Sequence, residues 1–190
     1  MKTKLLLGSL VALVALCAVS IAGAERIRGT NGDDTIIGTF GDDQIAALAG
    51  DDTVDAEGGN DQVYGGPGSD RLLGGAGGDL VKAGDGRDDA DGGAGNDVVK
   101  GQQGNDMVRG GDGNDRLWAG SGEDTVYGGD GDDVLHALAN DNQSDVLDCG
   151  AGKDVAIVNA REPHDLAAAN CERVKRVVPT SEQAAADDRS

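Results

Sequence analysis

Fourteen aspartates recur along this chain of 190 residues in a single register. From Gly29 the sequence divides into twelve nonapeptides without a gap, starting at Gly29, Gly38, Ala47, Ala56, Gly65, Gly74, Ala83, Gly92, Gly101, Gly110, Ala119 and Gly128. The sixth residue of each is Asp: Asp34, Asp43, Asp52, Asp61, Asp70, Asp79, Asp88, Asp97, Asp106, Asp115, Asp124 and Asp133. Ala137-Leu138-Ala139 then shifts the register by three residues. Two degenerate units, 140–148 and 149–157, return Asp145 and Asp154 to the same place. A carboxylate closing a Gly-rich turn suits a hard cation, which takes six to eight oxygens from carboxylates and main-chain carbonyls. Stacked turns can share such an ion. A single Asp in a Gly-rich loop is ordinarily a solvated turn residue, but fourteen in register argue against that reading.

The rest of the unit shows what must position these carboxylates. Position 4 is Gly in all twelve units, position 8 is apolar (Ile36, Ile45, Val54, Val63 through Leu135), and position 1 is Gly or Ala. Gly at fixed places opens backbone angles closed to other residues, so the first six residues read as a tight turn. The remaining three read as a short strand whose middle side chain points inward. One unit cannot bury its single apolar residue, whereas stacked units can, as two parallel sheets around a thin aliphatic core. So thin a core does not offset the entropy of ordering nine residues per unit. A further stabilising term is needed, and a bound cation supplies one.

The pattern resembles the repeats-in-toxin (RTX, haemolysin-type) calcium-binding nonapeptide, G-G-x-G-x-D-x-U-x. Residues 92–100 (GGAGNDVVK) and 110–118 (GGDGNDRLW) match it in full, and the resemblance covers 29 to about 157. The departures are at position 2, where Thr30, Thr39, Leu48, Glu57 and Gln102 replace Gly; four of these five fall in the first four units. The resemblance implies an all-β fold, a right-handed parallel β-roll (β-solenoid) of about six to seven 18-residue coils with a small C-terminal cap. It implies Ca2+ as the cofactor, with the fourteen aspartates as ligands and Asp145 and Asp154 the weaker two. Twelve regular half-sites in two columns make roughly ten inter-turn sites. Position 5 is often Asp or Asn (Asp33, Asp42, Asp51, Asn60, Asn96, Asn105, Asn114, Asp132) and reads as outer support.

Composition agrees. The chain carries 35 Asp and Glu against 16 Lys and Arg, a net charge of −19, with 33 Gly and only four aromatic residues. That balance argues against nucleic acid or an anionic membrane surface as partner. Lys2 and Lys4 precede an uncharged apolar run, 5–21, that ends in Ala22-Gly23-Ala24. This reads as a Sec-type signal peptide, 1–24, cleaved after Ala24, and predicts a secreted protein with no stable membrane insertion. Its loss removes two positive charges and no acid, so −19 becomes −21, close to what about ten calcium ions neutralise. Family members typically leave the cell through an uncleaved C-terminal signal, so this leader is a departure that weakens toxin and protease roles. Cys17 leaves with the leader, and Cys149 and Cys171 remain as an even pair that reads as one disulfide in an oxidising compartment. The organisation expected is a roll over 25–157, opened by a lead-in strand at 25–28. A disulfide-linked cap follows at 158–178, with a short helix and then a basic strand, and a disordered tail at 179–190.

No catalytic constellation is present: the sequence contains neither H-E-x-x-H nor G-x-S-x-G, and His136 and His164 lack spaced partners. The chain reads as a calcium-binding protein that folds on its ions and is not an enzyme. At 18 residues per coil, position 9 of alternate units lines one sheet face with Tyr64, Lys82, Lys100, Trp118 and His136. That face is a candidate ligand-binding surface, set against the plainer reading of a solvated sheet. It supports a rival function, an adhesin or module binding a cell-surface glycan or protein. A second rival is an accessory part of a secreted hydrolase, lyase or epimerase.

Overall fold

The computed structural model describes residues 24–162, 164–180 and 183. The leader, but for Ala24, and most of the 179–190 tail lie outside the described residues. Seventeen strands follow one another along the described chain. They begin with β1 (Arg26–Arg28), β2 (Thr35–Thr39), β3 (Gln44–Ala46), β4 (Thr53–Glu57), β5 (Gln62–Pro67) and β6 (Arg71–Ala76). The middle of the molecule holds β7 (Leu80–Asp85), β8 (Asp89–Ala94), β9 (Val98–Gln103), β10 (Met107–Asp112), β11 (Arg116–Ser121) and β12 (Thr125–Asp130). It ends with β13 (Val134–Ala137), β14 (Val146–Ala151), β15 (Val155–Asn159), β16 (Leu166–Ala167) and β17 (Arg173–Val177).

Odd strands form a nine-stranded sheet and even strands an eight-stranded one, each in chain order. Every pairing is parallel and follows the two-unit coil, as in Val63↔Val81 and Val81↔Val99. The molecule is therefore a β-solenoid of about eight turns, longer than the six to seven coils expected. The extra length comes from segments without the nonapeptide motif. Strand β1 pairs with β3 at one end, while β16 and β17 pair with β14 and β15 at the other. Main-chain pairing needs only an extended backbone in register, which side-chain motifs do not report. For the same reason the short helix expected within 158–178 does not form: Leu166–Ala167 is a strand of the eight-stranded sheet.

The strands are also longer than the three residues expected of each unit. In β9 and its neighbours they run six residues, through positions 1 to 3 of the next unit, so the turn proper is positions 4 to 6. Position 8 points inward in every unit, and Ile45, Val54, Val63, Val81, Val99, Val108, Leu117, Val126, Leu135 and Leu147 are all but fully buried. Position 1 joins them through Ala47, Ala56, Ala83, Ala119 and Cys149. The three-residue insertion is absorbed without loss of sheet register. Pairing resumes at Val126↔Leu147, and the buried Asn159 amide donates to the Ala139 carbonyl at 2.7 Å. Cys149 and Cys171 form a disulfide that ties the last segment to the core.

Two positions show what close coil stacking demands of the backbone. Gly95 has φ +141°, and a Cβ there would overlap the Gly77 carbonyl oxygen of the preceding coil. Gln102 occupies a position-2 site at φ +79°, where seven of the twelve regular units carry Gly. Gly95→Ala is therefore expected to lower the melting temperature, and Gln102→Gly to raise stability by on the order of 1 kcal/mol. Thermal melts of the two variants beside the parent check both signs. Cys171→Ala, which opens the disulfide, is expected to cost about 3 kcal/mol in denaturant titration.

Candidate functional site

The position-6 aspartates lie at the corners where one sheet passes to the other, and all fourteen are buried. They fall into two columns. Asp34, Asp52, Asp70, Asp88, Asp106, Asp124 and Asp145 precede the even strands; Asp43, Asp61, Asp79, Asp97, Asp115, Asp133 and Asp154 precede the odd ones. Within a column each carboxylate reaches back one coil. The Asp79 N–H donates to Asp97 Oδ1 at 2.8 Å, and the Asp97 N–H donates to Asp115 Oδ1 at 2.8 Å. The ladder crosses the insertion unbroken, from the Asp124 N–H to Asp145 Oδ1 at 3.0 Å and from the Asp133 N–H to Asp154 Oδ1 at 2.9 Å.

The second oxygen behaves differently. Oδ2 of Asp52, Asp61, Asp70, Asp79, Asp88, Asp97, Asp106, Asp115, Asp133 and Asp154 is buried without a hydrogen-bond partner. A buried unpaired carboxylate oxygen is costly, so a row of them points to a positive group that the polypeptide does not itself supply. Main-chain carbonyls share the same space. A Cβ built on Gly92 would lie 2.5 Å from Asp97 Oδ2 and 2.7 Å from the Gly110 carbonyl oxygen of the next coil. Among the described residues no three His, Cys, Asp or Glu side chains converge. A cation here would thus draw on carboxylate plus carbonyl oxygens, a donor set that fits hard Ca2+.

The first two units solve the problem with their own atoms. Thr30 donates its N–H to Asp34 Oδ2 at 2.5 Å and its hydroxyl at 3.0 Å. Thr39 does the same for Asp43 Oδ2, at 2.7 Å and 3.0 Å. Thr at position 2, which set these units apart in sequence, thus satisfies the carboxylate internally, and Asp34 and Asp43 do not share the unpaired geometry of the others. At the far end two ladder members escaped the repeat pattern. The Asp154 N–H donates to Glu172 Oε2 at 2.7 Å, and the Asp145 N–H donates to the buried Asp165 Oδ1 at 3.4 Å. Glu172 stands eighteen residues after Asp154, so its spacing was readable; Glu in place of Asp hid it. Asp165 stands twenty residues after Asp145 and was off register.

Position 5 reaches the other way. Asn96 Oδ1 accepts the Asn114 N–H at 2.8 Å, and Asn114 Oδ1 accepts the Asp132 N–H at 2.7 Å. This exposed ladder holds the turn tips in line. The candidate face is likewise assembled in register, Tyr64↔Lys82↔Lys100↔Trp118↔His136, on β5 to β13. Trp118 and His136 stack with centroids 4.8 Å apart, Lys100 Nζ lies 4.7 Å from the Trp118 centroid, and Lys82 Nζ lies 5.7 Å from that of Tyr64. Burial, then Lys100 and Arg116, push His136 down to about 4, so it is neutral at physiological pH.

Burial raises the carboxyls of Asp88, Asp97 and Asp106 to about 7 from 3.8. For Asp145, burial and then the Asp124 charge raise it to about 8. The metal-free solenoid therefore binds more protons than the unfolded chain between about pH 4 and 7. Its stability rises as pH falls through the folded values and is lost as pH rises through them. Protons and cations compete for the same oxygens. Metal-free protein is expected to gain β-structure between pH 7.5 and 5, and calcium affinity to fall over that range, by circular dichroism and calorimetry.

Comparison with known proteins agrees with this geometry. The family model of the RTX calcium-binding nonapeptide repeat (4 copies) matches at 21–54, 28–63, 37–72, 64–99, 100–135 and 109–143. None of the curated proteins matches the chain. The matched segments run without a break from residue 21 to 143, across every unpaired carboxylate but that of Asp154, and the chain belongs to the RTX calcium-binding nonapeptide repeat family.

Proposed function

We propose that this is a secreted calcium-binding protein whose turns hold several Ca2+ ions, that it folds on binding them, and that it has no catalytic activity of its own. The observation that carries this reading is the row of buried Oδ2 atoms without partners. Asp52, Asp61, Asp70, Asp79, Asp88, Asp97, Asp106, Asp115, Asp133 and Asp154 would hold the ions, together with main-chain carbonyls. When bound, calcium supplies the positive charge that lets these carboxylates stay ionised in a buried place. One ion per unpaired oxygen gives about ten. Asp124 and Asp145 continue the same ladder and complete the set, while Asp34 and Asp43 stand outside it with their Thr donors.

Secretion is supported by Lys2, Lys4, the apolar run and Ala22-Gly23-Ala24, and it suits both the disulfide and the ion. Calcium is abundant outside the cell, so the chain stays open inside and closes after export. The Gly-rich composition, poor for a free-standing core, then has a purpose.

The test is a calcium titration of the full chain, followed by circular dichroism and by calorimetric stoichiometry. A chain that is largely unstructured in chelator and gains β-structure in millimolar calcium, with several ions bound, is the expected result; an unchanged spectrum overturns the reading. Asp97→Asn is expected to lower the number of ions bound, whereas Asp34→Asn leaves that number unchanged.

A further inference from the structure

The two sheets differ in the charge they show. On the nine-stranded sheet, the outward positions flanking each inward position 8 carry Arg26, Arg28, Lys82, Lys100, Arg116, Arg173 and Lys175, and no acid. The corresponding positions of the eight-stranded sheet carry Asp55, Asp89, Asp91 and Asp148 beside Arg71 and Arg109, and Arg109 is paired with Asp89. A protein of net charge −19 thus gathers cations without acids beside position 8 of one sheet, with Asp85 at the end of β7 the one acid within its strands. Lys82 and Lys100 are directly opposite each other on neighbouring strands, and Arg116 follows on the next, so the positive charge of the face is densest at its centre.

We propose that this face is a docking surface for a linear anionic polysaccharide, whose carboxylate or sulfate groups meet Lys82, Lys100 and Arg116. The partner is long because the cations are strung over nine strands, ~38 Å at the usual strand spacing. It is narrow because the cations stand only at the two outward positions that flank position 8 in each strand. The rings do not serve as stacking platforms for sugars. Trp118 and His136 lie nearly parallel, 4° apart, and cover each other, while Lys100 covers the other face of Trp118. Tyr64 and Trp118 instead hold the two ammonium groups in line.

Other partners fit less well. The strands β7, β9 and β11 that carry Lys82, Lys100 and Arg116 are already paired on both sides, so an extended acidic peptide finds no strand to join there. Leu80, Val98, Trp118 and Val134 at these outward positions are half-buried in the sheet surface, so a bilayer finds no protruding anchor among them to add to the charge. The proposal rests on the calcium reading in one respect: ions in the turns neutralise the acidic borders and leave the face the dominant positive feature.

The full chain in millimolar calcium is tested for binding to immobilised hyaluronate, which offers carboxylates, and heparin, which offers sulfates. Neutral dextran, polyglutamate and anionic phospholipid vesicles are the comparison ligands. Binding to either anionic polysaccharide, weakened by added salt and absent on dextran, is expected. Lys82→Gln with Lys100→Gln lowers that affinity by about tenfold or more, while the charge-matched pair Arg71→Gln with Arg87→Gln leaves it within about twofold. Circular dichroism confirms that both variants fold. Equal binding by the Lys82/Lys100 variant, equal binding to dextran, or binding only to vesicles or polyglutamate overturns the proposal. A spectrum unmoved by calcium would sink the calcium reading, and the comparison of parent and variant on hyaluronate and heparin still decides this one.

Discussion

Each coil is tied to the next by a buried aspartate. One carboxylate oxygen accepts the main-chain N–H of the aspartate in the preceding coil, as Asp115 does for Asp97 at 2.8 Å. That bond sets the spacing and register of the turns, and from the turns follow the two sheets and the thin core between them. It also brings the second oxygen, as at Asp97 Oδ2, into a buried place without a protein donor. A buried carboxylate left half satisfied is a debt on the fold. The same residue therefore aligns the coils and creates the demand for a cation.

The two ends of the solenoid close the ladder in different ways. At the start, Thr30 and Thr39 donate to Asp34 and Asp43, so the first turns close on protein atoms. At the finish, Glu172 and Asp165 extend the ladder beyond the last repeat, and the Cys149–Cys171 disulfide fastens the final segment to the core. Terminal repeats of a solenoid have no neighbour on one side and need such substitutes. The middle coils, with neighbours on both sides, are where the unpaired oxygens lie.

The sheets between the corners divide the remaining labour. Inward positions are uniform and aliphatic, and they do little beyond filling space. Beside position 8 the outward positions differ between the sheets: one mixes signs and pairs Arg109 with Asp89, while the other carries cations and no acid there. Tyr64 and Trp118 each sit beneath a lysine in that second sheet, which orders long side chains that would otherwise sample many rotamers.

The period of nine was enough to establish the repeat, the stacked parallel sheets and the inward position 8, because identical spacing forces identical placement once units stack. Two units per coil, and with it the two Asp columns and the in-register ladder from Tyr64 to His136, came from the resemblance to the RTX repeat. The pairing of Cys149 with Cys171 followed from their count and the expected compartment. What the sequence could not carry was decided by neighbours eighteen or more residues away. The strands run into the Gly-rich half because main-chain pairing continues through it. Arg26–Arg28 and Arg173–Val177 were expected as strands, but that they and Leu166–Ala167 pair onto the two sheets as further coils was decided by the backbone. Whether a given Asp keeps an unpaired oxygen depends on whether a donor such as Thr30 reaches it. The covered faces of Trp118 and the placing of Lys82 beside Lys100 appear only when the strands are laid side by side, since contact between coils is a property of stacking and not of local spacing.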